Sequence, residues 1–155
     1  LVQSCINAVI VQLPLPGQLP PQYLLNALVP TKDPDCLSAR STGLFMSDNP
    51  IIRPPAVEVV AELCQRHNIS LVGRHVLVVG YGRLIGRPLS HFLATAGAIT
   101  TIIPEPSDQL ADALASAEVV ISGAGAPGLI KKGIRKGAEL GLATTGVKGL
   151  IDLFK

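Results

Sequence analysis

The sequence predicts an α/β fold, a parallel sheet with helices on both faces, and three observations predict it. The 155 residues are 48% apolar but only 3% aromatic, with mean hydropathy +0.44. Such a core is built from Val, Ile, Leu and Ala, as suits strands buried on both faces of a parallel sheet. Short β-branched runs then alternate with helical patterns in the second half of the chain, an order that right-handed crossovers fold into a parallel sheet. Glycine clusters follow two of those runs.

Taken in order, Cys5 to Gln12 is a β-branched apolar run stopped by Leu13-Pro14-Leu15-Pro16-Gly17. It predicts a buried strand ended by prolines that cannot donate to a ladder. Pro20 to Leu28 suits a short helix, and Val29 to Asn49, rich in Pro, Asp, Ser and Gly, reads as a long loop, a kind that is usually functional in a compact domain. Pro54 and Pro55 open a helix carried by Val57, Val60, Ala61, Leu63 and Cys64 and ending near Asn68. His75 to Val79 is a strand, Gly80 to Gly86 a glycine turn, and Arg87 to Ala96 a helix. Ala98 to Ile103 is the next strand, Asp108 to Ser116 a helix, and Val119 to Ser122 a third strand ending in the loop Gly123 to Gly128. Ile130 to Lys136 suits a short helix and Leu140 to Thr145 a fourth strand.

Composition excludes several classes. Net charge is +2 and the basic residues are scattered apart from Lys131, Lys132, Arg135 and Lys136. With so few aromatics to stack on bases, no nucleic-acid partner is expected. No apolar run reaches the roughly 18 residues of a membrane span, so no membrane partner is expected either. Cys5, Cys36 and Cys64 fit neither a CxxC nor a zinc pattern. They read as free thiols of a cytoplasmic protein. His67, His75 and His91 share no spacing or acidic partner, so no metal site is expected. Ser122 and Thr145 lack a nearby base, and a hydrolase triad is not indicated.

The chemistry sits in the segment Gly80-Tyr81-Gly82-Arg83-Leu84-Ile85-Gly86, a GxGxxxG between a strand and a helix. Dinucleotide sites need a first glycine for a tight turn, a second for close approach of the pyrophosphate, and a third where helix meets strand. The helix N-terminus adds N–H groups and a partial positive charge. Glu105 follows the next strand, about 20 residues beyond the turn, where an acid accepts hydrogen bonds from the adenosine ribose and repels a 2′-phosphate. Glu105 therefore argues for NAD, while Arg83, able to reach a 2′-phosphate, keeps NADP open. The sheet is Rossmann-like on this reading. The third strand and Gly123 to Gly128 should border the same cleft, with Gly125 and Pro127 at its rim, because ligands sit at the carboxyl ends of parallel strands.

Three segments together resemble the methylenetetrahydrofolate dehydrogenase/methenyltetrahydrofolate cyclohydrolase family. They are Val11-Gln12-Leu13-Pro14-Leu15-Pro16, matching its VQLPLP; Lys32-Asp33-Pro34-Asp35-Cys36, similar to KDVDG; and Val78 to Pro88, similar to VVGRSxxVGxP. Gly125-x-Pro127-Gly128 is similar to its GxPG. The resemblance implies oxidation of 5,10-methylenetetrahydrofolate with NAD or NADP and hydrolysis of the methenyl product to 10-formyltetrahydrofolate. It implies that Gln12 orients the catalytic lysine, that Asp35 binds the pterin, and that the active protein is a homodimer. Val147 is a loose candidate for contact with the nicotinamide.

The same resemblance divides the chain into 1–52, the C-terminal part of a smaller α/β folate-binding catalytic domain, and 53–155, a Rossmann-like NAD(P)-binding domain. The family's catalytic lysine and tyrosine lie upstream of QLPLP, so a chain opening on Leu1 reads as a piece of a longer protein. Tyr81 and Gly82 stand where the family has Arg-Ser, and Cys36 where it has Gly. Two other readings stay open: a non-catalytic NAD(H)-binding paralogue or module, and a different two-domain NAD-dependent dehydrogenase.

Overall fold

The computed structural model describes residues 5–105, 107–126, 128–139 and 149–152, the last four through their backbone alone. The chain forms two compact units, Leu1–Glu58 and Val59–Lys155.

The first unit holds α1 (Pro21–Leu25), a 3-10 turn (Pro30–Lys32) and α2 (Ala39–Met46). Two expectations fail here. Cys5 to Gln12 is not a buried strand: Ile10 is 69% exposed, and in place of a ladder one backbone bond runs from Val9 N–H to Lys32 C=O at 3.0 Å. The β-branched run favours extended backbone, but among the described residues no strand lies beside it to complete a sheet. The stretch expected to be a loop contains α2. Its Ser41, Thr42 and Gly43 are weak helix formers, which hid it. What starts it is a cap: the Ser38 hydroxyl accepts from the Ser41 N–H at 3.1 Å.

α3 (Pro55–Arg66) begins with proline in its first turn and buries Val57, Val60 and Cys64. Asn68 ends it with φ +52°. Asn68 N–H bonds Gln65 C=O at 3.2 Å and Ile69 N–H bonds Cys64 C=O at 2.8 Å, the paired closure of a left-handed helix cap.

The second unit is a four-stranded parallel sheet of β1 (His75–Val79), β2 (Ile99–Ile103), β3 (Val119–Ser122) and β4 (Gly149–Asp152), in the order β2-β1-β3-β4. The connecting helices are α4 (Gly86–Thr95), α5 (Leu110–Ser116) and α6 (Leu129–Glu139). Leu140 to Thr145, read as the fourth strand, lies outside the described residues. β1 is central: Leu77 pairs with Thr101 on one side and Val120 on the other. From β1 the chain steps outward to β2, then returns across β1 to β3. With right-handed crossovers that reversal sets α4 on one face and α5 and α6 on the other.

Strand alternation feeds both faces. Leu77 and Val79 join Leu110, Leu114, Val120 and Ile130 in a core cluster. Val76 and Val78, fully buried on the opposite face, lie on the α4 side, whose Leu89 and Leu93 are also fully buried. Gly133 lets α6 come close to α5, since a Cβ there would sit 2.6 Å from Leu114 Cδ1 and 3.1 Å from Leu110 Cδ2.

Candidate functional site

The reversal of strand order makes a crevice at the carboxyl ends of β1 and β3, the place where open α/β sheets bind ligands. Val79 pairs with Ser122 at that edge, so the glycine turn after β1 and the glycine loop after β3 emerge side by side. They touch. A Cβ on Gly80, whose φ is +93°, would lie 2.9 Å from both Ala124 N and Gly123 C. A Cβ on Gly123 would lie 2.7 Å from Ile85 Cγ2. One on Gly86 would fall on the Gly80 carbonyl oxygen. These three positions tolerate only glycine for reasons of packing.

Gly82 and Gly125 differ, because a Cβ on either meets nothing within 4 Å. The fold does not require glycine there; both are exposed, so nothing of the protein's own bars a ligand from approaching the backbone at either. The residues present thus suit a dinucleotide: tight turns where the loops cross and open ground beside Gly82 and Gly125.

Backbone bonds tie the turn to the neighbouring strand. Gly80 N–H donates to Ile103 C=O at 2.8 Å and Tyr81 N–H to Pro104 C=O at 3.4 Å, which brings Tyr81 beside the residue preceding Glu105. Glu105 is exposed at the end of β2. Leu84 and Tyr81 are exposed, Arg83 and Ile85 half-buried. The structure therefore gathers Gly80 to Gly86, Glu105 and Gly125 at one sheet edge. Pro127 and Val147 lie outside the described residues. Ile85, the residue before α4, offers no capping side chain, so no side chain covers the helix start.

Gly123 lies in the loop that the sequence already places at this cleft, and the structure adds why it is glycine, whereas Arg87 carries no role in the sequence reading. Gly123 is fixed by a contact with Ile85 from a distant turn. Arg87 places its guanidinium carbon 5.7 Å from the centre of the Tyr81 ring, a contact six residues apart that no motif spacing announces.

In the first unit Gln12 is exposed, and its side-chain amide donates to the neighbouring Leu13 C=O at 3.1 Å. The Leu13–Pro14 peptide is cis. Asp35 is half-buried, and its carboxylate has no hydrogen-bond partner among the described residues. Burial, then the charge of Asp33, raises its pKa. Asp33 is the residue that sequence reasoning passed over. It is buried and accepts Leu37 N–H at 3.1 Å and Ser38 N–H at 2.8 Å. Burial opposes its charge, but the bonds from Ser38, Ser41 and Leu37 outweigh that and lower its pKa. The signal available was an acid just before a Ser-x-x-Ser helix start. Cys36 holds φ +55°, which explains why a glycine suits this position in the motif it resembles.

Comparison with known proteins agrees with this geometry. The family model described as "Tetrahydrofolate dehydrogenase/cyclohydrolase, NAD(P)-binding domain" matches residues 54–140. Bifunctional protein FolD 1 of Rubrobacter xylanophilus is 35% identical over 134 residues, covering 86% of this chain and 47% of that relative. Bifunctional protein FolD of Neisseria gonorrhoeae is 33% identical over 136 residues, covering 87% and 48%. The chain spans about half the length of the curated relatives it matches. Among solved structures, N5,N10-methylenetetrahydrofolate dehydrogenase-cyclohydrolase (FolD) of Trypanosoma brucei, complexed with NADP cofactor and inhibitor, superposes with TM-score 0.73 at 33% identity, covering 79% of this chain and 43% of that one. A 5,10-methylenetetrahydrofolate dehydrogenase from the silkworm Bombyx mori gives TM-score 0.71 at 28% identity, covering 81% and 47%. The family match over more than half of the chain, on the residues that build the glycine crevice, shows that this chain belongs to the tetrahydrofolate dehydrogenase/cyclohydrolase family.

Proposed function

We propose that the protein containing this chain oxidises 5,10-methylenetetrahydrofolate to the methenyl form with NAD or NADP and hydrolyses that product to 10-formyltetrahydrofolate. The observation that carries this reading is the meeting of the Gly80–Gly86 turn and the Gly123–Gly125 loop at the carboxyl ends of β1 and β3, with Gly82 and Gly125 open to solvent beside it. The names of the relatives supply the substrate class. The bound cofactor supplies a hydride acceptor, and the protein's part is to hold the two reacting carbons face to face. Gly80, Tyr81, Gly82, Arg83, Leu84, Ile85, Gly86, Glu105, Gly125, Pro127 and Val147 serve the cofactor, and Gln12 and Asp35 serve the folate. An unpartnered Asp35 carboxylate suits the paired N–H donors of a pterin. Residues 1–52 belong to the folate-binding part and 53–155 to the cofactor-binding part.

Glu105, exposed beside Tyr81, supports NAD over NADP. β2 ends the sheet among the described strands, with Ile99 and Ile102 exposed, which supports a homodimer. No helix of the described residues is long and apolar enough to cross a membrane, and three free cysteines suit the cytoplasm. The test is an assay of the full-length protein with methylenetetrahydrofolate and each cofactor, following reduced nicotinamide by its absorbance. Reduction that depends on folate supports the reading; no reduction with either cofactor overturns it.

A further inference from the structure

We propose that Arg87 binds the diphosphate of the cofactor and is held ready for it by its stack on Tyr81, an inference that rests on the NAD(P) reading of the glycine turn. A helix that receives a diphosphate ordinarily offers the free N–H groups of its first turn. In α4 that supply is short. Of the four N–H groups that the start of a helix leaves unpaired, here those of residues 85–88, the Arg87 N–H already bonds the Gly82 carbonyl at 3.0 Å. Position 88 is proline and has no N–H. The N–H groups of Ile85 and Gly86 are the two that no described group accepts. Two N–H groups and a partial helix charge leave part of a diphosphate's charge unmet.

Arg87 supplies what the backbone lacks. It is the second residue of α4, where Cα–Cβ bonds tilt back toward the helix start. Its guanidinium lies over the Tyr81 ring, back above the glycine turn, rather than out along the helix. The side chain is exposed and makes no ion pair with any described residue, so its five donors remain for a ligand. Its own N–H is bonded to Gly82, the residue beside which space lies open. Arg83, the cation that sequence reading singled out, is half-buried and already engaged.

Tyr81 has a part in this. Its backbone is tied to Pro104, which anchors the residue that carries the ring, and a stacked guanidinium has less rotamer freedom to lose when it meets phosphate.

The test is titration of the full-length protein with NAD, NADP, ADP and adenosine. Arg87→Ala is expected to weaken the three phosphate-bearing ligands by about tenfold or more while adenosine, which has no phosphate, is unchanged. Arg87→Lys should recover part of the loss. Tyr81→Leu should weaken the same three by roughly two- to fivefold, and Tyr81→Phe by less, because the ring face is kept. The melting temperature without nucleotide should not move. Affinity for ADP within about twofold of wild type in Arg87→Ala, or a parallel fall for adenosine, overturns the role of Arg87 alone. A wild-type protein that binds none of NAD, NADP and ADP overturns the NAD(P) reading and this inference with it.

Discussion

The carbonyl oxygen of Gly80 occupies the place where a side chain on Gly86 would begin. That contact closes the turn between β1 and α4, and both partners are backbone, so neither can move aside cheaply. Gly86→Ala should therefore cost about 3 kcal/mol or more of stability, through forced displacement of the turn. Gly82→Ala, with nothing within 4 Å of the new methyl, should stay within about 0.5 kcal/mol of wild type. Urea unfolding of the two variants side by side measures the contrast, and equal losses would show that the turn is not closed in this way.

Asp33 should make stability acid-sensitive. Its folded-state pKa lies below the ordinary carboxylate value because the N–H and hydroxyl donors of Leu37, Ser38 and Ser41 outweigh its burial. The unfolded chain thus binds this proton more readily, so the stabilisation is complete above the ordinary pKa and is lost as pH falls through the lowered one. Asp33→Ala should cost about 2–4 kcal/mol at neutral pH by leaving buried donors unmet. Asp33→Asn should also flatten the acid limb of a plot of unfolding free energy against pH. Asp35 runs the other way: burial and the Asp33 charge raise its pKa, so its ionisation opposes folding above that value, and Asp35→Asn should stabilise the protein at neutral pH.

Thiol reactivity should divide the cysteines. Cys5 is exposed, while Cys36 and Cys64 are buried. Burial, reinforced by Asp33, pushes the Cys36 thiol up to about 11, and burial raises that of Cys64. At mildly alkaline pH a thiol reagent should label Cys5 rapidly and the other two only after denaturation. Rapid native labelling of Cys36, read by peptide mass, would contradict the packing of the turn that holds it.

The Thr100 hydroxyl on β2 is buried without a hydrogen-bond partner among the described residues. Thr100→Val keeps the β-branched shape and removes the unmet polar atom, and should raise stability by about 1 kcal/mol. A loss of similar size in thermal unfolding would mean that the hydroxyl has found a partner.

Glu105 should set the choice of cofactor. If it lies beside the adenosine ribose as proposed, replacing it by Ser removes a charge that would repel a 2′-phosphate, and the ratio of NADP to NAD affinity should rise by about tenfold or more. An unchanged ratio in the full-length protein would separate Glu105 from the adenosine ribose.

The second unit was legible because its strands are continuous β-branched runs bounded by glycine and proline. His75 to Val79 and Val119 to Ser122 were read with the bounds the structure gives them. The first unit was less so. Cys5 to Gln12 carries the composition of a strand, but composition does not supply the neighbouring strand that a ladder needs. α2 begins at a cap built from Asp33, Ser38 and Ser41, and its Ser-Thr-Gly interior looks like loop until that hydrogen-bond network is seen. At the candidate site, motif spacing singled out the glycine turn and Glu105, which the fold brings to one sheet edge. It placed the loop Gly123 to Gly128 beside that turn, but not the contact of Gly123 with Ile85 or of Arg87 with Tyr81, which exist only once the chain has turned.

The strand order has a bearing on how the protein is assembled. The two glycine segments that meet at this edge are separated in sequence by α4, β2, α5 and β3. A folding intermediate in which only β1, α4 and β2 had formed would display the complete fingerprint yet have one wall of its pocket missing. Nucleotide would gain its full grip only after β3 docked against β1. By mass action it would then draw partly formed chains toward the finished sheet. Cofactor affinity in such a molecule is a report on completed topology, and a pulse of nucleotide during refolding would capture chains in the order in which they finish.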